Sequence, residues 1–184
     1  MSSSPIYLLP FSKKHLYDKC YLSWFQDAST VRYLGIPSYL KGVSIENLES
    51  YYNNLHKDDY FFAVHCSQTD KFIGTVKLNH ADHHSKNIEI GMLLGDTSYR
   101  GKRLGTEIIR LGTEYAFEIL GMHRIYASAL TGNIASHKCF LFNGYKKEGV
   151  CRDYYWLEDH YESYIQYGIL EDEWKEIKKS INSS

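Results

Sequence analysis

The stretch "YRGKRLGTEIIRL", residues 99–111, decides how this chain is read. A cluster of Gly and cations runs directly into apolar residues at helical spacing, which predicts a loop feeding a helix. The first N–H groups of a helix have no partner inside it, and the helix dipole adds about half a positive charge there. Gly101 and Gly105 let a ligand approach the backbone, and Arg100, Lys102 and Arg103 add formal charge. Together with Leu104 and Thr106 these residues make a candidate cradle for a phosphate, best of all a pyrophosphate. A surface loop rich in Lys and Arg is the plain alternative.

Two other phosphate motifs fail here. A Walker loop needs GxxxxGK followed by Ser or Thr. Read from Gly95, Arg100 stands where the second Gly belongs, and Arg103 follows Gly101-Lys102. The GxGxxG dinucleotide fingerprint is also missing.

Outward from the cradle, "NIEIGMLLG" before it reads as a central strand, and Gly121 ends the helix that starts near Arg103. "IYLLP" reads as a strand, and residues 13–24 as one helix. "DASTVRYL" opens a second helix with Asp27 or Ser29 as N-cap, and "SIENLESYYNNLH" a third capped by Ser44. "YFFAVHC" and "KFIGTVKLNH" make a hairpin. "HRIYASAL" is a strand, "NIASHKCFLFNG" a helix closed by Gly144, and "YKKEGV" and "YESYIQYGIL" are late strands before a last helix, "EDEWKEIKKS". This order predicts one α/β (α+β) domain, residues 1–184, around a single mixed sheet.

The bulk numbers exclude more than they assign. The chain has 184 residues and a net charge of −1, so it lacks the global attraction of a nucleic-acid or anionic-membrane binder. Cys20, Cys66, Cys139 and Cys151 form no CxxC pair and read as reduced thiols of a cytoplasmic protein. The N-terminal apolar run is too short for a signal peptide, and no run suits a membrane span. The 17 Tyr stand out; they fit strands, and some fit a pocket lining equally well.

With these motifs in order, the chain resembles the GNAT superfamily of acetyl-CoA-dependent N-acetyltransferases. That family seats the CoA pyrophosphate on a [QR]xxGx[GA] turn, matched here by Arg100, Arg103 and Gly105. Arg103 stands where the family usually has Gly, and the cradle is expected to survive if Arg103 keeps an ordinary helical φ. Asn133, Ser136, Gly144 and Tyr145 resemble a second signature, which implies Asn133 near the CoA arm and Ser136 near the thioester. Trp24, Asp27 and Val31 near the front, and "EGVCR" with "EW" at the end, are similar to the ribosomal-protein N-acetyltransferase branch. The resemblance implies a mostly antiparallel sheet flanked by helices, with two strands splayed at the CoA site. It also implies acetyl-CoA as cosubstrate, no metal, and homodimerisation as one arrangement.

Acetyl transfer needs a base for the amine, polarisation of the carbonyl and departure of the thiolate. Glu89 is the candidate base: it interrupts an apolar strand, and burial would raise its pKa; a Glu on a solvated face is the alternative. Backbone N–H groups around Met92 and Leu94 would hold the oxyanion if the strand splays. Family analogy puts a Tyr acid where this chain has Phe140, which donates no proton, leaving Ser136, water or unassisted departure of the thiolate. Trp24, Tyr154 and Tyr155 are candidates for the acceptor wall, and core packing accounts for them equally well. His80, His83 and His84 with Asp82 raise a metal reading that an exposed turn explains more simply. The acceptor is then an amino sugar, free or nucleotide-linked, or a protein N-terminal amine. A polyamine, and a non-catalytic CoA-binding sensor or scaffold, are the alternatives.

Overall fold

The structure is a computed structural model that describes residues 4–182. Its elements in chain order are β1 (Ile6–Pro10), α1 (Lys13–Leu16), α2 (Lys19–Trp24), α3 (Ala28–Val31), a 3₁₀ turn (Pro37–Lys41) and α4 (Ile45–Asn53). Strands β2 (Tyr60–Cys66), β3 (Phe72–Asp82) and β4 (Asn87–Leu94) lead through a 3₁₀ turn (Thr97–Tyr99) into α5 (Leu104–Glu114). A π-helical turn (Tyr115–Ile119) extends α5, and β5 (Arg124–Leu130), α6 (Ile134–Phe142), β6 (Lys146–Leu157), β7 (His160–Leu170) and α7 (Glu171–Asn182) follow.

The sheet has seven strands in the order β1-β2-β3-β4-β5-β7-β6, so "NIEIGMLLG" is its middle strand as its apolar run implies. Every pairing is antiparallel except β4 with β5. Strand alternation assigns the two faces. Val76, Leu78, Ile88 and Ile90 point into a core shared with Ile108 and Ile109 of α5. Ala63 and Phe72 face the other way, against Tyr21, Trp24, Phe25 and Leu48 of the N-terminal helices.

Two local expectations change. Residues 13–24 form two helices, because Asp18 caps α2 by accepting from the Cys20 N–H at 3.0 Å and so interrupts the run. The helix of "DASTVRYL" stops at Val31 after one turn, capped by Asp27, whose side chain accepts from the Ser29 N–H at 2.8 Å. Ser44 caps α4 with a reciprocal Asn47 contact. Gly121 and Gly144 both take positive φ, +65° and +82°, where the helices before them end.

Candidate active site

The parallel β4–β5 pairing covers only Asn87–Glu89 against Arg124–Tyr126. Beyond Glu89 the two strands part, and β4 loses its ladder partner on that side. A cleft of about 920 Å³ opens there. It is lined on one side by β4 from Glu89 to Leu94 and by Ser128 and Ala129 of β5. The loop before α5 and the start of α6 close its other end.

The cradle is built from that loop. Gly101 takes φ +76°, and a Cβ there would meet nothing within 4 Å. Arg103 is the N-cap of α5 at φ 59°, ψ 11°, which overturns the expected helical φ. This left-handed turn is the conformation that glycine adopts without cost. Backbone N–H groups of residues 101–106 donate to no protein acceptor among the described residues; the first donor inside the helix is Glu107, to the Arg103 carbonyl at 3.3 Å. A row of open amides at a helix start is the chemistry of an anion site.

The cradle's position is fixed from below. Asn143, buried at the end of α6, donates from Nδ2 to the carbonyls of Thr106 (2.9 Å) and Cys139 (2.8 Å). A Cβ on Gly105 would stand 3.1 Å from both Cys139 Sγ and Met92 Cε, so any side chain here requires those two to give way by a few tenths of an ångström. Arg100 reaches sideways and donates to Ser29 Oγ (3.0 Å) and Thr30 Oγ1 (2.6 Å), tying the cradle to α3.

Glu89 sits where the strands divide, opposite Asn79 on β3 and Tyr126 on β5. Burial pushes its pKa up, and His80 and Lys77 oppose this weakly. A carboxylate in that setting gains proton affinity without losing access to the cleft. Asn133 caps α6, its Oδ1 accepting from the Ser136 N–H at 3.2 Å. Its own loop is held by Glu162, which accepts from Thr131 Oγ1 (2.6 Å) and the Gly132 N–H (2.9 Å). Phe140 is 3% exposed, stacked on Tyr167 at 5.4 Å, and offers no proton donor. Cys139 beside it has a pKa raised by burial.

The structure therefore brings Glu89, Met92, Leu94, Arg100, Gly101, Arg103, Leu104, Gly105, Thr106, Asn133 and Ser136 to one cleft. Four candidates do not line it. Lys102 turns outward, its Nζ 5.0 Å from the Tyr99 ring centroid. Trp24 is 5% exposed and belongs to the second core, where its ring fills the space a side chain at Gly95 would need. Tyr154 is 61% exposed on β6, and Tyr155 packs over Gly35. Trp24 and Tyr154 are thereby removed from the acceptor wall, whereas Tyr155 stays beside it: burial raises its pKa, and Tyr154 and Glu89 add to the effect. Asp82, offered as a metal ligand, caps a turn by accepting from the N–H groups of His84 and Ser85, both at 2.9 Å. Among the described residues no group of three or more His, Cys, Asp or Glu could hold a metal ion, and no helix is long and apolar enough to cross a membrane.

The aromatic wall comes from other residues: Tyr21, Phe25, Tyr33, Tyr39, Tyr51 and Phe61, above a floor of Thr75, Lys77 and Asn79. The floor had a signal, since Thr75, Lys77 and Asn79 alternate along β3 and pair with Leu93, Gly91 and Glu89. The wall had none, because its residues come from short helices, loops and strand β2, which only the fold brings together.

Comparison with known proteins agrees with this geometry. The family model for the acetyltransferase (GNAT) domain matches residues 6–146. YjcK of Bacillus subtilis (strain 168), a probable N-acetyltransferase, is 34% identical over 109 residues, which are 58% of this chain and 60% of that relative's length. YdaF of the same organism, a putative ribosomal N-acetyltransferase, is 28% identical over 102 residues, 55% of each chain. A spermidine N-acetyltransferase from Vibrio cholerae, solved with CoA and spermine, superposes with a TM-score of 0.82 at 21% identity, covering 94% of this chain and 99% of that one. At that identity the likeness is one of fold. A seven-stranded sheet splayed at its middle, an amide cradle at the start of the next helix and the domain match together place the chain in the GNAT acetyltransferase family.

Proposed function

We propose that this chain moves an acetyl group from acetyl-CoA to a primary amine by direct transfer. The observation that carries the reading is the row of unpartnered amides at residues 101–106, opening onto the cleft that holds Glu89. The cofactor supplies an acetyl group activated as a thioester. Residues 101–106 would hold its pyrophosphate, with Arg103 adding charge.

Glu89 takes the proton that the acceptor ammonium must lose before its nitrogen can bond to carbon. Burial raises its proton affinity above that of an ordinary carboxylate, the direction that a base for this step needs. The backbone of β4 beyond Glu89, around Met92 and Leu94, faces the gap and would orient the carbonyl. As the C–N bond forms the nitrogen becomes cationic again; as the C–S bond breaks the sulfur leaves as a thiolate, and the second nitrogen proton passes to it through water to give the free thiol and the neutral amide. An ordinary thiol has a pKa of about 8.5, so departure without a donor costs little. Ser136 or water is the remaining proton source on that wall.

Glu89→Gln should lower kcat by about 10²–10³ while leaving the acetyl-CoA dissociation constant unchanged. Unchanged turnover would remove Glu89 from the mechanism. Phe140 favours a second reading, a CoA-binding sensor that does not turn over; binding of acetyl-CoA without transfer to any amine offered would select it. For the acceptor, the names of relatives point in different directions, to ribosomal proteins in YdaF and to spermidine in the structural neighbours. Self-association belongs to the same reading, on the family resemblance and on the dodecamer described for one neighbour.

A further inference from the structure

The cleft has a second arm that acetyl-CoA does not account for. It extends sideways from β4 across β3, between the N-terminal helices and the sheet face that carries Thr75, Lys77 and Asn79. Three observations describe what it can hold.

The first is its hydrogen-bonding capacity. The hydroxyls of Tyr39, Tyr51 and Thr75 and the amide of Asn79 make no side-chain hydrogen bond to protein among the described residues. No buried side-chain polar atom in the described structure is left without a partner, so the polar atoms of half-buried Tyr39 and Asn79 are open to the cleft. The arm thus combines aromatic faces with several uncommitted, uncharged donors and acceptors.

The second is charge. Glu89 is the one carboxylate among the described residues that line the cleft, whereas Arg100, Arg103 and Lys138 line it as cations and Lys77 is paired with Asp59. The nearby Asp59 is not available: its side chain is 3% exposed and is held by Lys77 Nζ at 2.8 Å and by the N–H groups of His56 and His80. A linear polyamine brings further ammonium groups beside the reacting one, and this arm has no second free carboxylate to meet them.

The third is shape. Gly91 lies between Glu89 and Leu93 and opposite Lys77, and a Cβ there would meet nothing within 4 Å. The floor beside the base is therefore open to a ring.

We propose that this arm receives an amine borne on a hydroxylated ring, an amino sugar, and discriminates against linear polyamines. The inference rests on the acetyl-transfer reading above. The ring's apolar face would lie on the tyrosines, and its hydroxyls would take up the open polar groups. A site built to bond hydroxyls rejects analogues that leave those groups unpaired.

The test uses the full chain with acetyl-CoA and follows release of the CoA thiol. The acceptors are glucosamine, a nucleotide-linked amino hexose, spermidine and a short peptide with a free N-terminus. At least one amino sugar should exceed spermidine and the peptide in kcat/KM by about tenfold or more. Tyr39→Phe and Tyr51→Phe should raise the amino-sugar KM about threefold or more without moving the acetyl-CoA KM. Preference for spermidine or the peptide, or an unchanged amino-sugar KM in both variants, would overturn the assignment and leave acetyl transfer standing. No turnover of any amine, with acetyl-CoA still raising the melting temperature, would overturn the transfer reading and this inference with it.

Discussion

Arg103 shows how one residue can be right in chemistry and strained in geometry. Its φ of 59° costs an L-residue roughly 1 kcal/mol or more, and its guanidinium carbon lies 5.8 Å from the Phe142 ring centroid. Arg103→Gly removes the strain but gives the unfolded chain more freedom, for a net gain of about 0.5–1 kcal/mol. The variant should melt roughly 1–4 °C higher and bind acetyl-CoA a few-fold more weakly for want of the cation. A lower melting temperature would mean that the contact with Phe142 outweighs the backbone strain. The sequence showed the substitution of Gly by Arg but not the sign of φ, which depends on how α5 is docked by Asn143 and Gly105. Trp24 stayed open between wall and core for a related reason: its core role lies in the absence of a side chain at Gly95, a partner 71 positions away that no local pattern connects to it.

At the scale of elements, the joint between α1 and β2 contains a pair of histidines whose protons are fixed by their partners. His15 Nδ1 accepts from the Ser12 N–H at 3.1 Å, which leaves its Nε2 to donate. His65 Nδ1 lies 2.9 Å from the Asp70 carbonyl and must donate to it, which leaves its Nε2 to accept. The two Nε2 atoms meet at 3.4 Å. A second proton on His15 would sit on Nδ1 and set N–H against the Ser12 N–H, among Phe11 and Phe72. Burial holds the His15 pKa below the usual range, with His65 and Lys14 adding to the effect and Asp18 opposing it. The unfolded chain therefore takes up a proton that native His15 refuses. Stability should fall as pH drops below about 6.5 and level off under the folded-state pKa. His15→Gln retains an acceptor for the Ser12 N–H in the same capping box. Its melting temperature should be flatter between about pH 6.5 and 5 than that of the parent. Parallel profiles would show that the pair does not carry the dependence. Most elements were legible because their signals are local: the alternation in β3, the apolar run of β4, the caps Ser44 and Asp27, the glycines after α5 and α6. The break at Asp18 was not, since an Asp inside an apolar helical pattern reads as a surface residue until its side chain is seen to cap α2.

At the scale of the molecule, the sheet is two halves held at a narrow seam. Strands β1 to β4 and strands β5 to β7 meet in the ladder only along the short pairing of Asn87–Glu89 with Arg124–Tyr126. Around that seam, Arg100 ties the cradle to α3, Asn143 ties α6 to α5, and the His137 ring meets the Tyr167 hydroxyl at 2.9 Å. The cleft is the consequence of this division, because the same parting of β4 from β5 exposes Glu89 and the backbone beyond it. A ligand spanning the α5 cradle and the start of α6 contacts both halves and binds only the folded chain. At about 100 times its dissociation constant, acetyl-CoA should add roughly 2.7 kcal/mol to stability. For a chain of this size that corresponds to a rise of roughly 5–10 °C in melting temperature. CoA should act similarly, since it carries the same pyrophosphate, and NAD at equal concentration should not, since the GxGxxG turn is missing. A thermal melt with the three ligands in parallel decides the matter. Equal shifts with NAD would reduce the cradle to a general phosphate site, and no shift with either CoA species would mean that the left-handed turn at Arg103 has closed it.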